Sequence, residues 1–241
     1  MQNTSRETKL KTVYSLLYSA FGPQGWWPVY SDGGRGYHKG DFSLPSTEKQ
    51  RLEIAFGAIL TQQTSWQNAQ KAVLNLIRSD FLSPEKVLES DEKELQTAIR
   101  SSGYFRQKTE RLKAFSAFLV ERYGGSISEL LSGEVESVRK ELLSLKGIGK
   151  ETADSIMLYA GNIPTFVVDA YTFRMAERTG IMEERDYEAL KSEFEAALDG
   201  DFRVYNEYHA LLVELGKRHC RTRALCEGCP LQPLCSYHKK L

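Results

Sequence analysis

The stretch from Leu145 to Asp169, LKGIGKETADSIMLYAGNIPTFVVD, restricts the possible folds most strongly. It predicts a helix end, a tight Gly-Ile-Gly turn, a second helix and an extended run that ends in a carboxylate. Gly147 and Gly149 permit backbone conformations that other residues resist, so the turn can approach a ligand closely. Lys150 begins the next helix, where free N–H groups and the helix dipole favour an anion. With Ile148 anchoring it, such a turn can hold a phosphate through backbone amides.

The composition narrows the class of protein. A chain of 241 residues, 41% of them apolar, can form one large domain or two small ones. Its 32 basic and 32 acidic residues cancel, so any nucleic-acid contact must come from a local patch. No apolar run approaches the roughly 18–20 residues that span a bilayer, and the start lacks an apolar signal core. We therefore expect an intracellular, cytoplasmic protein with no membrane partner.

Helical patterns dominate the chain after residue 45, and no segment shows sustained alternation with β-branched residues. Thr47 and Gln50 form a capping box ahead of an apolar helical repeat, and Ser83 before Pro84 marks a second helix start. The glycines predicted at helix ends are Gly103, Gly124, Gly125, Gly161 and Gly180. We predict an all-α chain of about ten short helices, with residues 22–45 as the irregular stretch rich in Gly and Pro.

The four cysteines lie close together near the end of the sequence: Cys220, Cys226, Cys229 and Cys235. In an intracellular chain, such a group indicates a metal site rather than disulfides. Zinc sites usually pair two Cys-x2-Cys knuckles across a spacer. One Cys-x2-Cys flanked by two single cysteines suits a compact loop around a [4Fe-4S] cluster. We predict the cluster and keep zinc as the alternative.

The hairpin and the aspartate that follows it resemble the helix-hairpin-helix motif of the endonuclease III superfamily of DNA glycosylases. The matching residues are Leu145, Gly147, Ile148, Gly149, Ala153, Ile156, Val168, Asp169, Phe173 and Arg174. The cysteine loop is similar to the family's iron–sulfur loop, whose first spacing is usually one residue longer. The resemblance implies a structural cluster that assists DNA binding, and Arg221 and Arg223 could face phosphates or be ordinary surface charges.

The resemblance also implies an all-α, two-domain helix-hairpin-helix glycosylase fold. Residues 46–164 would form a six-helix domain with the hairpin at about 138–160. Residues 1–45 and 165–241 would form a discontinuous helical domain with the iron–sulfur loop at 220–235. Double-stranded DNA containing a damaged base would lie across the cleft between the domains, bound by a monomer with the damaged base flipped out.

Asp169 is the candidate catalytic residue. Cleavage of an N-glycosidic bond builds positive charge on the sugar, and a nearby carboxylate can stabilise that charge and orient the attacking water. Asp169 could also cap the following helix, and both roles are compatible. The resemblance implies a Schiff-base lysine in bifunctional members at the position held here by Glu151. Because Lys150 is turned about 100° away along the helix, we predict a monofunctional enzyme that uses water.

Two loops resemble the segments that the family inserts into DNA. In Ala58–Trp66 the match assigns to Gln62 the filling of the gap left by a flipped base, although an exposed turn glutamine would look the same. In Ser102–Phe105 it makes Tyr104 a wedge between bases, unless this ring packs on the following helix. Both residues are therefore candidate DNA contacts, together with the Gly-Ile-Gly turn and Lys150.

Aromatic residues suggest which base is removed. The resemblance places an acid at the position of Ala58 in the adenine-mismatch branch, so a base that is already cationic is the easier substrate here. Aromatic faces hold such bases through stacking and cation–π attraction. The WWP run and ILTQQTSW resemble the endonuclease III-like 3-methyladenine glycosylase branch. The implied base-pocket residues are Trp26, Trp27, Pro28 and Trp66, with Glu151 either in the pocket or supporting its helix N-terminus.

Several readings stay open from the sequence. The tryptophans could be ordinary core residues, and Glu53 could serve as an acid. The leading function is excision of an alkylated purine such as 3-methyladenine. The alternatives are a mismatch or oxidised-base glycosylase, a non-catalytic helix-hairpin-helix DNA-binding protein, and an iron–sulfur electron carrier, which would need only the cysteines.

Overall fold

A computed structural model describes residues 2–240, and helices account for nearly all of the regular structure in that range. The twelve α-helices are α1 Gln2–Phe21, α2 Glu48–Thr61, α3 Trp66–Arg78, α4 Pro84–Glu89, α5 Glu92–Ile99, α6 Phe105–Tyr123, α7 Ile127–Leu131, α8 Val135–Ser144, α9 Lys150–Ser155, α10 Ala170–Thr179, α11 Tyr187–Ala197 and α12 Phe202–Arg218. The described residues contain no strand, only one isolated bridge between Val29 and Gly36. The prediction of an all-α chain is confirmed.

The helix boundaries follow the local signals in the sequence. Thr47 and Gln50 form the predicted capping box, and Ser83 caps α4 with Pro84 in its first turn. Gly124 and Gly180 end α6 and α10 in the left-handed conformation that favours glycine. Helix α9 continues through Ile156–Ala160 as a buried π-helical segment. Across residues 2–240 we find no helix whose length and apolar character would let it span a bilayer.

Helix α1 lies in the part of the discontinuous helical domain for which the sequence predicts no individual helix boundaries. Its start is polar in sequence, and Leu10, Val13 and Leu17 lie on one face of the helix and are fully buried. Their spacing of three and four residues is that of a narrow helical stripe. This stripe is the feature of the sequence that indicates the helix.

The chain divides into two compact units, each described by itself. The first contains residues 2–26, 39–41 and 164–240, and therefore α1, α10, α11, α12 and the cysteine loop. Its core is aromatic: the rings of Phe166 and Phe194 stack 4.1 Å apart, and Tyr205 and Tyr208 meet Phe166 edge-on at 5.8 and 5.9 Å. The Tyr208 hydroxyl donates to the carbonyl of Leu10, which ties α12 to α1.

The second unit contains residues 27–38 and 42–163, and therefore α2 to α9. Helix α2 is its centre, because every residue from Leu52 to Leu60 is buried. A helix that is buried all round must be enclosed by others, and α3, α6 and α7 pack against it, as does the π-helical segment. This packing sets the positions of the turn after α2 and of the α8–α9 hairpin.

Candidate functional site

The Gly-Ile-Gly turn joins α8 to α9 as predicted, but its two glycines serve different purposes. Gly147 has φ +90°, and a Cβ there would lie 2.8 Å from Arg111 Cδ, so both its conformation and its packing require glycine. Gly149 has φ −95°, which any residue adopts, and a Cβ there would meet open space. The expectation that both glycines adopt unusual conformations is therefore wrong for Gly149. Its small size leaves the outer face of the turn open.

Contacts on its buried side hold the hairpin in place. Ile148 is buried, as predicted, and its N–H donates to the carbonyl of Leu145 at 3.0 Å. Arg139 on α8 donates twice to the fully buried carboxylate of Asp154 on α9, at 2.8 and 3.1 Å. Paired, hydrogen-bonded charges of this kind hold two helices in a fixed orientation. Lys150 and the turn glycines remain exposed on the other side of the hairpin.

Gln62 faces the hairpin. Its amide nitrogen donates to the carbonyl of Gly147 and to the hydroxyl of Thr152, both at 2.9 Å, and its oxygen accepts from Arg111. The neighbouring Gln63 is exposed and has φ +53°. The sequence alone does not distinguish these two glutamines, because they differ in backbone conformation and not in side-chain chemistry. Gln62 braces the turn from inside its unit, whereas Gln63 projects from it.

Tyr104 shares this unusual conformation. Its φ is +45°, it lies at the start of α6 without a capping hydrogen bond from its side chain, and the residue is 62% exposed. Within residues 2–240, six non-glycine residues have positive φ, and four of these are Asp or Asn. Those two residue types tolerate the left-handed region, but glutamine and tyrosine rarely adopt it. Gln63 and Tyr104 are the exceptions, and strained, exposed residues of this kind often mark binding sites.

Asp169 caps α10 in the first unit. Its Oδ1 accepts from the Thr172 N–H at 2.7 Å and from the Thr172 hydroxyl at 2.9 Å, and His209 Nε2 lies 3.6 Å from Oδ2. Burial alone would raise the pKa of Asp169, but His209 and Thr172 outweigh it and hold the pKa below the usual 3.8. The carboxylate is therefore ionised at neutral pH although only 9% of the residue is exposed. The sequence gives no hint of His209.

The predicted pocket residues lie in both units. In the first, Trp26 meets His209 edge-on at 6.1 Å, and the ammonium of Lys217 lies 5.3 Å from the Trp26 ring centre. Trp26 is therefore next to the imidazole that contacts Asp169. It is half-buried, so it is not simply a core residue.

In the second unit, Trp27 is the centre of an aromatic group. Its ring meets Trp66 at 5.1 Å and Tyr159 at 5.3 Å, both edge-on, and only 6% of Trp27 is exposed. Pro28 and Ala58 are buried, whereas Trp66 is half-buried. Tyr159, in the π-helical segment, was not anticipated, because its contact with Trp27 spans more than a hundred residues of sequence.

Glu53 has a structural task. Its carboxylate accepts from the N–H groups of Tyr30 and Ser31, both at 2.8 Å, and from the Ser31 hydroxyl at 2.6 Å. Burial raises the pKa of Glu53, although these donors act in the opposite direction. The side chain therefore fixes the segment just after Trp27 and Pro28, and its oxygens already have partners within the protein.

Comparison with known proteins shows the family of the chain. Residues 56–199, which contain the hairpin and Asp169, match the family described as HhH-GPD superfamily base excision DNA repair protein. The chain belongs to this family. The predicted resemblance is thereby confirmed.

Relatives of the HhH-GPD family support the assignment along nearly the whole chain. A protein of Methanocaldococcus jannaschii, provisionally named a DNA repair glycosylase, is 42% identical over 226 residues, covering 92% of this chain and 94% of its own. The H. pylori 3-methyladenine DNA glycosylase bound to 1,N6-ethenoadenine has a TM-score of 0.70 at 26% identity, covering 88% and 97%. A trapped endonuclease III–DNA covalent intermediate has a TM-score of 0.74 at 21% identity, covering 97% of both chains, which shows the shared fold.

Glu151 occupies the position that the resemblance gives to the lysine of bifunctional HhH-GPD enzymes. It lies in the first turn of α9 and is exposed, as is Lys150. An acid in the first turn interacts favourably with the helix dipole. This placement suits support of the helix N-terminus.

The cysteine loop of this HhH-GPD chain is held by two arginines of α10. Arg174 donates to the carbonyl of Cys220 at 2.7 Å, and Arg178 donates to the Cys220 sulfur at 3.3 Å and to the carbonyl of Arg221 at 2.7 Å. The Cys235 thiol donates to the Arg178 carbonyl at 3.5 Å. Within residues 2–240, no three His, Cys, Asp or Glu side chains are grouped as for a single metal ion. The iron–sulfur cluster therefore stays a prediction.

Proposed function

We propose that this protein is a monofunctional DNA glycosylase that flips a damaged base out of duplex DNA and removes it with water. The observation that carries the proposal is the buried, ionised carboxylate of Asp169, which the N-terminus of α10 and Thr172 hold in place. A fixed negative charge stabilises the positive charge that develops on the sugar as the base departs. The same carboxylate can accept a proton from the attacking water.

The absence of a lysine at position 151 supports hydrolysis over Schiff-base chemistry. An amine nucleophile must reach the sugar carbon that loses the base. Glu151 has no amine, and the neighbouring Lys150 lies about 100° around α9. Water is therefore the proposed nucleophile, and the product is an abasic site in an unbroken strand.

DNA binding is assigned to three exposed elements of the second unit. The open face of Gly149 and the exposed Lys150 would receive a phosphate without reading a base. Tyr104 would wedge between bases beside the lesion. For the gap left by the flipped base we propose Gln63 in place of Gln62, because the Gln62 amide is bonded to the hairpin.

The substrate we propose is an alkylated purine that carries a positive charge. Trp26 in the first unit and Trp66 in the second are half-buried, so each offers part of an aromatic face, and such faces favour a cationic base. Trp27 and Tyr159 are buried and pack in the aromatic group that supports Trp66. Ala58 provides no acid to protonate a neutral purine, and the Glu53 oxygens are already bonded within the protein. The H. pylori relative, a 3-methyladenine glycosylase, is consistent with this choice.

Single-lesion duplexes test the substrate. Separate duplexes should carry 3-methyladenine, 7-methylguanine, 1,N6-ethenoadenine, thymine opposite guanine, uracil, thymine glycol and 8-oxoguanine, with released base measured under single-turnover conditions. We expect an alkylated purine to be released at least about tenfold faster than any other base, a difference of about 1.4 kcal/mol in barrier. Faster release of mismatched thymine or of an oxidised base would contradict the alkylpurine assignment and leave the glycosylase assignment intact.

We further propose that Cys220, Cys226, Cys229 and Cys235 hold a [4Fe-4S] cluster. The residues fit this group because the four cysteines lie close enough to one another for Cys220, Cys226 and Cys235 to act electrostatically on Cys229, as the ligands of one cluster must. Bound there, the cluster would cross-link the loop. Arg178, which donates to the Cys220 sulfur, would stabilise the charged ligand.

Metal content and colour test the cluster. Protein purified without oxygen should be brown and contain iron and sulfide, and Cys226→Ser should lose both colour and iron. Arg221→Ser, in the same loop but without a thiol, is the control and should keep them. Colourless protein with one zinc per chain would contradict the cluster and favour the alternative.

A further inference from the structure

Helix α6 contains a buried lysine that the proposed chemistry does not use. Lys108 is 1% exposed, and its ammonium donates to the carbonyl of Leu60 at 2.8 Å and to the carbonyl of Ser102 at 2.6 Å. Burial lowers the pKa of Lys108 to about 8, and the positive charge of Arg111 adds to this effect. An ionised amine is expensive to bury, and an apolar residue would fill the same space at lower cost. The position of its two partners indicates what the lysine contributes.

The two carbonyls that accept from Lys108 belong to residues that stand in sequence shortly before a strained, exposed residue. Leu60 precedes Gln63 by three residues, and Ser102 precedes Tyr104 by two. Gln63 and Tyr104 are the two residues with positive φ that are neither glycine, Asp nor Asn within the described range. One ammonium therefore joins the two segments from which the proposed insertion residues project. Charge-assisted bonds of this length fix the distance between them.

Arg111, one turn further along α6, extends the connection to the hairpin. It donates to the side-chain oxygen of Gln62, whose nitrogen donates to the Gly147 carbonyl and the Thr152 hydroxyl. Its side chain also covers the face of Gly147, where a Cβ would collide with it. Two cations on one face of α6 thus contact the turn after α2, the turn before α6 and the hairpin.

We propose that Lys108 and Arg111 are positioning residues. They set the spacing of the turn after α2, which contains Gln63, the turn before α6, which contains Tyr104, and the hairpin before DNA binds. The inference rests on the proposed insertion of Gln63 and Tyr104 into the duplex. Two side chains can enter one base stack together only if their separation is fixed. Loops that must be ordered during binding weaken the complex, whereas loops held beforehand do not.

Lys108→Met tests the proposal, because methionine has a similar length but cannot donate to either carbonyl. The matched control is Glu48→Gln. The Glu48 carboxylate accepts a hydrogen bond from the Ser128 N–H at 3.2 Å and also contacts Ile127. Glu48 lies at the end of α2 opposite to Leu60. That site is about 18 Å from Leu60 along the helix. Arg111→Met, at a half-buried position, provides a second variant should Lys108→Met fail to fold.

Two measurements separate positioning from general stability. The first is the fluorescence of 2-aminopurine placed beside the lesion, which rises when insertion unstacks it and does not depend on base release. The second is the ratio of base release from duplex to release from a single strand, which needs no wedge. We expect Lys108→Met to lose most of the fluorescence rise and to lower the ratio at least about tenfold. Arg111→Met should have a smaller effect in the same direction, and Glu48→Gln should leave both readouts near wild type.

The outcomes are distinguishable. If both α6 variants keep the fluorescence rise and the ratio, or if Glu48→Gln lowers them equally, the positioning role is wrong. If wild type produces no fluorescence rise, insertion itself is wrong and the proposal fails with it. If wild type unstacks the reporter but releases no base from any lesion, the proposed chemistry fails, and a loss of unstacking in Lys108→Met would still support the positioning role.

Discussion

Replacing Asp169 with asparagine is expected to lower the rate of base release by between about 100-fold and about 10,000-fold, the usual contribution of a positioned general base. Asparagine keeps the shape of the side chain and caps a helix about as well as aspartate. The fold and the affinity for DNA should therefore change little. What is lost is the negative charge that stabilises the sugar and accepts the proton of water.

Single-turnover release of the base from a lesion duplex measures this effect, with DNA affinity and the unfolding transition recorded in parallel. Glu151→Gln is the matched control, because it also removes one carboxylate, but from the exposed first turn of α9. It should release base at a rate close to wild type. If Asp169→Asn is as active as wild type, the catalytic assignment is wrong.

The two hairpin glycines are expected to respond in opposite ways to alanine. Gly147→Ala forces a side chain onto φ +90° and displaces Arg111, so we expect a loss of about 1–3 kcal/mol in the free energy of unfolding. Gly149→Ala introduces no strain and should leave stability unchanged or slightly higher. Its methyl group projects from the open face that the proposed phosphate approaches, so we expect DNA affinity to fall about tenfold.

Denaturant unfolding and DNA binding at one fixed salt concentration measure both quantities for the pair. Each variant is the control for the other, since the residue change is identical and two positions apart. Equal loss of stability in both would contradict the packing described for the turn. Unchanged DNA affinity in Gly149→Ala would show that the outer face of the hairpin does not meet the backbone.

Local sequence signals predicted most of what is local in the structure. The capping box of Thr47, the Ser83-Pro84 start and the hairpin depend on residues within one or two turns of each other, so a single stretch contains the whole signal. The capping of α10 by Asp169 was predictable for the same reason, because Thr172 follows it within one turn. The narrow apolar stripe of α1 is marked by Leu10, Val13 and Leu17, which stand among polar residues and give a weaker signal than a capping box.

Features that depend on distant residues could not be predicted. His209 approaches Asp169 from α12, forty residues later, and Glu53 binds a segment more than twenty residues earlier. Gln62 and Gln63 are chemically identical. Which of them is bonded to the hairpin and which is exposed depends on a backbone angle and on the contact with Arg111. Lys108 is the clearest case: in sequence it is one charged residue among many, and only the fold shows that it is buried between two loops.

The measurement that tests the central claim most directly is the fate of the DNA strand during base release. Wild-type protein is incubated with an alkylpurine duplex, and released base and strand breaks are followed in the same reaction, with and without alkali and with borohydride in a parallel sample. If Asp169 directs water to the sugar, base appears first, strands break only after alkali, and borohydride traps no protein on the DNA. Strand breaks that keep pace with base release, together with a trapped protein–DNA adduct, would show that an amine attacks the sugar and would contradict the proposed mechanism.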